Sequence, residues 1–119
     1  MKNLLPLLLA LLAGCMTSDK IMLDATHRKP TQTVELIKSG EKPSRHYTEI
    51  ATYSVLGLPE EESKAIRHFL AEARKDGAHA IVLEPSENAG LRYRYGTASA
   101  LGVPHRIFKA TAVIYTTEK

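Results

Sequence analysis

Cysteine is nearly absent from this sequence: Cys15 is the only one among 119 residues. No disulfide within the chain can staple the fold, and a cysteine-rich metal site is excluded. Tryptophan is missing and phenylalanine occurs twice, so the core has to rest on aliphatic side chains and a few tyrosines. No apolar run reaches the roughly 20 residues that a membrane-spanning helix needs. Neither sign of charge dominates, since 16 basic and 13 acidic residues leave a net charge of +3. That balance is too small for a nucleic-acid-binding stripe, and no nucleic-acid partner is expected. Catalytic signatures are missing as well. There is no G-x-S-x-G nucleophile turn and no H-E-x-x-H metal pair, and the glycine-bounded stretch from Gly96 to Gly102 lacks the lysine of a phosphate loop. The expectation is a non-enzymatic protein without a cofactor.

What is present begins at the N-terminus. Met1-Lys2-Asn3 is a short positive segment, Leu4 to Leu12 is apolar apart from Pro6, and Ala13-Gly14 supplies small residues before Cys15. This is the layout of a secretory signal peptide. Leu12-Ala13-Gly14-Cys15 resembles the lipobox of bacterial lipoproteins at all four positions. The resemblance implies cleavage between Gly14 and Cys15, a diacylglycerol on the Cys15 sulfur, and acylation of the new amino group. Two or three acyl chains hold a protein firmly where one holds it marginally. Met16, not aspartate, follows the cysteine, which by the enterobacterial sorting rule favours the periplasmic face of the outer membrane over the inner membrane. Loss of Lys2 with the leader lowers the net charge to about +2.

The remaining residues divide into a tether and one domain. Residues 15–32 have no clean period and carry Pro30. They read as a lipidated N-terminus and tether, with a reach on the order of 50 Å. Residues 33–119 read as a small α+β domain of order β-β-α-β-β, its one helix packed on one face of the sheet. A first strand is expected over 33–37 and a second over 47–55, with Ala51, Tyr53 and Val55 on one face. Ile50 breaks that alternation and predicts a bulge. A helix is expected from Pro59 to Asp76: Pro59 suits its first position, and Glu60, Glu61 and Glu62 complement its dipole. Ile66, Phe69, Leu70 and Ala73, with Ala65 beside them, form its apolar stripe, and Gly77 suits a left-handed cap. Residues 78–83 read as a buried strand, Pro85 to Gly90 as a turn-rich break, and 91–104 either as a short strand over 91–95 followed by a small-residue loop or as loop throughout. A final strand is expected over 105–116, with Phe108, Ala110, Ala112 and Ile114 on one face and Val113 and Tyr115 on the other.

From Tyr47-x-x-Ile50-Ala51-x-Tyr53-x-Val55 to the helix end Ala71-x-Ala73-x-x-x-Gly77-Ala78-x-Ala80-Ile81-Val82, the chain resembles a superfamily of small domains. That superfamily includes the outer-membrane stress-sensor lipoproteins of the Rcs phosphorelay and a group of small proteins described as heavy-metal-binding. The resemblance covers about a third of the chain and implies fold more than function. It also implies an envelope-sensing role. The paired cysteines of the Rcs sensors have no counterpart here, and His79 stands where the family usually has aspartate.

Two groups of residues could carry function beyond Cys15. Arg92-Tyr93-Arg94-Tyr95, extended by Arg106 and Lys109, reads either as a contact surface for an anionic or envelope-protein partner or as an edge strand with solvated arginines. The five histidines, His27, His46, His68, His79 and His105, raise a metal-binding alternative. None forms a ligand pair by spacing, and His46 and His105, both at strand starts, are the candidates to meet in space. The simpler readings are a solvated helix face for His68 and a partly buried, hydrogen-bonded residue at the helix–strand corner for His79. Self-association through an open sheet edge also stays open.

Overall fold

The computed structural model describes residues 17–92 and 103–116 of the chain. They form a small α+β domain: a mixed five-stranded sheet with one helix across it. The strands are β1 (Thr17–Met22), β2 (Glu35–Ile37), β3 (Tyr47–Gly57), β4 (Ala80–Arg92) and β5 (Val103–Tyr115). A 3-10 turn, Pro59–Glu61, leads into helix α1 (Glu62–Lys75). The strand order is β1-β3-β5-β4-β2, with β2 parallel to β4 and every other pair antiparallel.

Alternation along β5 builds two faces, as its sequence predicts. Phe108, Ala110 and Ala112 join the main core under the helix, with Ile114 packed against it. Val113 turns to the opposite face, where it is buried with Ile37 and Ala80 against Val82 and Tyr115. The helix approaches closely because its contact line is small-large-small. Ala65, Phe69 and Ala73 are all buried, and the Phe69 ring lies nearly parallel to Tyr53, 6.2 Å away. Ile66 and Leu70, expected within the stripe, flank it and stay partly exposed, whereas Ala65, expected beside it, is buried. The irregularity expected at Ile50 is present as a register shift between Glu49 and Ala51, which lets Ile50 and Ala51 both enter the core.

The helix ends as its sequence dictates. Gly77 has φ +75°, its N–H donates to Arg74 O at 3.2 Å, and the Ala78 N–H donates to Ala73 O at 2.9 Å. This pair of bonds is a Schellman stop. At the other end, Pro59 to Glu61 form a 3-10 turn where the sequence predicts the first α-helical turn. The Glu61 carboxylate accepts the Leu58 N–H at 2.7 Å, so one of the three clustered glutamates has a capping duty.

Two segments differ from their sequence expectation. Thr17–Met22 lies within the stretch expected to be a tether, yet it pairs with β3 from Thr17↔Leu56 to Met22↔Ala51. The following residues cross the helix terminus, where Thr31 donates its N–H to Arg74 O at 2.9 Å and its hydroxyl to Ala78 O at 2.7 Å. The first bond serves a carbonyl of the last helical turn, which a helix end leaves open, and the second ties the crossing to the corner beyond it. Asp24 shapes the crossing by accepting the Thr26 N–H at 2.9 Å and Arg28 at 2.8 Å, and these bonds hold its carboxyl down to about 2.

The second difference is at 85–90, expected as a break. There β4 runs on to Arg92, absorbing the turn-forming residues in register shifts between Glu84 and Glu87 and between Asn88 and Gly90. Pro85 is tolerated because a bulged position needs no ladder donor.

A Cβ at Gly77 would lie 2.7 Å from both Arg28 Cβ and Lys29 O, whereas at Gly40, φ +88°, it would meet nothing within 4 Å. Gly77→Ala is therefore expected to cost about 3 kcal/mol, and Gly40→Ala about 1 kcal/mol, from strain with and without collision. Urea denaturation of the two variants measures the difference, and equal losses would refute the close approach.

Candidate functional site

The sheet face away from α1 carries the polar chemistry. Thr52, Ser54 and Thr111 occupy its central strands because Tyr53, Val55, Ala110 and Ala112 turn to the helix. These short side chains leave a depression of about 250 Å³, bordered by Asp19 and Ile21 on β1 and by Glu84 and Lys109 on β4 and β5. Its polar groups are partly committed. Thr111 donates to the Glu84 carboxylate at 2.8 Å, and Lys109 is ion-paired with Glu87. The hydrogen bond and charge of Glu87 hold the Lys109 ammonium above its usual pKa.

A tighter cluster lies at one end of the same face, around Tyr115. Its hydroxyl donates to the Glu35 carboxylate at 2.5 Å. The Arg45 guanidinium sits 4.5 Å over its ring, a cation–π arrangement. His79 stacks on it with centroids 5.8 Å apart at 27°. The Tyr115 N–H donates to His79 Nδ1 at 2.9 Å, so the neutral imidazole carries its proton on Nε2. The connection from β2 to β3 must pass β4 and β5, and Arg45 over Tyr115 puts the end of that crossing on this face. The cluster thus offers an exposed imidazole N–H, a guanidinium and a carboxylate around one aromatic ring. That combination suits recognition of a partner carrying both donors and acceptors.

The residues singled out by sequence are placed as follows. Gly14, Cys15, Tyr93, Arg94 and Tyr95 lie outside the described residues. Arg92 closes β4 opposite Val103. Arg106 is held inward, its Nε donating to Ser86 Oγ at 2.8 Å and an Nη to Ser86 O at 3.0 Å. It therefore braces the bulge of β4, and with Lys109 paired to Glu87 the expected basic extension is taken up within the sheet.

His46 and His105 do not meet. The Thr116 N–H donates to His46 O, which fixes His46 beside the end of β5, whereas His105 pairs with Gly90 near its beginning. Antiparallel pairing of β3 and β5 separates them by on the order of 30 Å. His68 makes an edge contact with Phe69 at 6.1 Å. Among the described residues, no group of three or more His, Cys, Asp or Glu could hold a metal ion. No described helix is long and apolar enough to cross a membrane.

No family model, curated protein or solved structure matches the chain.

The Tyr115 cluster escaped sequence reasoning because Glu35 and Tyr115 are 80 positions apart and belong to no motif. The one available signal was the outward phase of Tyr115 on β5. Burial, then the bond to Glu35, push the Tyr115 pKa from 10.0 up to about 12, against a weaker pull from Arg45. The resulting stabilisation is fully present below pH 10 and is lost as pH rises through about 12. Tyr115→Phe is expected to flatten part of the alkaline decline in denaturation free energy, and Tyr53, also raised by burial, supplies another part. An unaltered decline in the variant would show that the Glu35 bond is not made.

Proposed function

We propose that this chain is a lipid-anchored, non-enzymatic binding or sensing module of the bacterial cell envelope, held at the periplasmic face of the outer membrane through Cys15. The observation that carries the reading is the lipobox-like Leu12-Ala13-Gly14-Cys15 in a chain with no other cysteine. An unpaired thiol in an oxidising compartment is a liability unless it is capped, and acylation caps it. The likeness of residues 47–83 to the envelope stress-sensor superfamily points the same way.

The folded part supports a binding role through its open face. Tyr115, Arg45, His79 and Glu35 gather there around one ring, and aromatic residues and arginine contribute most at protein interfaces. An envelope protein is the partner this chemistry fits.

Cys15→Ser tests the anchor. In cells fed a clickable palmitate analogue, the native protein is expected to carry label and to sediment with membranes. The variant should carry none and keep its leader. A native protein that is unlabelled and soluble would end the proposal. A photoreactive residue in place of Arg45 tests the face: a crosslinked envelope protein whose yield falls in the Glu35→Gln background supports it, and no crosslink in intact cells counts against it.

A further inference from the structure

The register of the sheet says how an anchored domain would meet its membrane. Thr17, at the start of β1, stands in one row with Leu56, Ile107 and Glu87 across β3, β5 and β4. Beyond that row β3 adds only Gly57, opposite Arg106, and β4 and β5 run on as an arm through the pairs Asn88↔Arg106, Gly90↔His105, Leu91↔Pro104 and Arg92↔Val103, the last three of them two-stranded. Four further pairs add about 13 Å of strand. The arm runs in the direction from which the chain enters β1, because β1 is antiparallel to β3 and β3 to β5.

Cys15 precedes Thr17 by two residues. Whatever their conformation, two residues span at most about 7 Å. The attachment is thus shorter than the arm's overhang on the same side. A domain held by so short a link cannot stand upright on a bilayer with the arm clear of it. The arm either reaches the headgroups end-on or is laid along them as the domain tips.

We infer that the β4–β5 arm is a second membrane contact, meeting the phospholipid headgroups beside the lipid on Cys15 and turning the Tyr115 end of the sheet toward the periplasm. The inference rests on the proposed lipidation of Cys15 and adds an orientation to it. The sequence of this part of the chain is compatible with an anionic surface. Residues 88–92 and 103–106, which form the arm, include no acidic residue, so the arm carries no charge that an anionic headgroup layer would repel.

Site-directed fluorescence in vesicles tests it. The mature lipidated protein has its only native thiol blocked, so a single introduced thiol takes an environment-sensitive dye uniquely. Asn88→Cys and Pro104→Cys report from the arm, and His46→Cys reports from the opposite end of the sheet. Each labelled protein is reconstituted in phosphatidylethanolamine–phosphatidylglycerol vesicles with and without headgroup-attached nitroxide.

Both arm dyes are expected to lose most of their fluorescence to the quencher, and the dye at 46 to keep most of it. Co-sedimentation with the vesicles reads the anchor separately. Protein that co-sediments with unquenched arm dyes, or with all three quenched alike, overturns the orientation while leaving the anchor standing. Protein that fails to co-sediment removes the anchor and the orientation together. A second arm position guards against one substitution disturbing its strand.

Discussion

The corner where the helix turns into β4 holds the domain together. Gly77 reverses the backbone there, and the left-handed turn presents an almost bare surface on which Arg28 and Lys29 lie. The same turn holds Asp76 where two distant residues reach it. The Tyr53 hydroxyl donates to it at 2.7 Å, and Lys20 Nζ lies 3.2 Å away while also contacting Glu72 at 3.1 Å. Partial burial of Glu72 would raise its pKa, but the bonds from Lys20 and Lys75 outweigh that and hold it below the ordinary range. Each ion pair is half-exposed and contributes modestly by itself. Their value is geometric: β1 has no buried residue of its own, so Lys20 reaching over to the helix end complements its ladder with β3.

That dependence explains which parts of the fold were legible in the sequence. The helix was, because its apolar period, acidic start and glycine stop all agree within one window. The bulge at Ile50 was, because two adjacent apolar residues cannot share a face of a regular strand. β1 was not. Thr17-Ser18-Asp19-Lys20 alternates without an apolar phase, since one side faces the open depression and the other reaches the helix through charge. Its helix partners stand 52 and 56 positions away, and local patterning carries no trace of them. The run through Pro85 and Ser86 misled for a related reason. Turn-forming residues signal a break only when no neighbour supplies their bonds, and here Arg106 supplies those of Ser86.

The open face follows from the same economy of apolar residues. With two phenylalanines and no tryptophan, the chain can fill one side of a sheet well but not both. It places Tyr53, Phe69 and Phe108 under the helix and leaves hydroxyls and charges on much of the other side. Among the described residues, a second small cluster forms near β2, around Ile37, Ala80 and Val113. Tyr115 packs against that cluster and presents its hydroxyl to Glu35. The aromatic available for recognition is therefore braced from below by apolar contact and from the side by a carboxylate. A ring fixed this way loses little conformational entropy when a partner binds over it.

Position then decides what such a face can serve. Tyr115 pairs with Tyr47 at one end of the sheet, and β1 begins at the other, in the row of Leu56 and Ile107. An attachment at Cys15 would place the length of β5 between the lipid and the Tyr115 cluster. The exposed Ile21, Met22 and Leu23, 59%, 44% and 51% accessible, lie along the edge strand toward that same far end. Were the first strand a loose tether, a domain anchored at Cys15 would tumble above its lipid and no face would have a preferred direction. Because Thr17–Met22 is locked into the sheet, an anchor at Cys15 would share one frame with it. Orientation would then come from strand register, with no need for a second domain or a membrane helix to impose it.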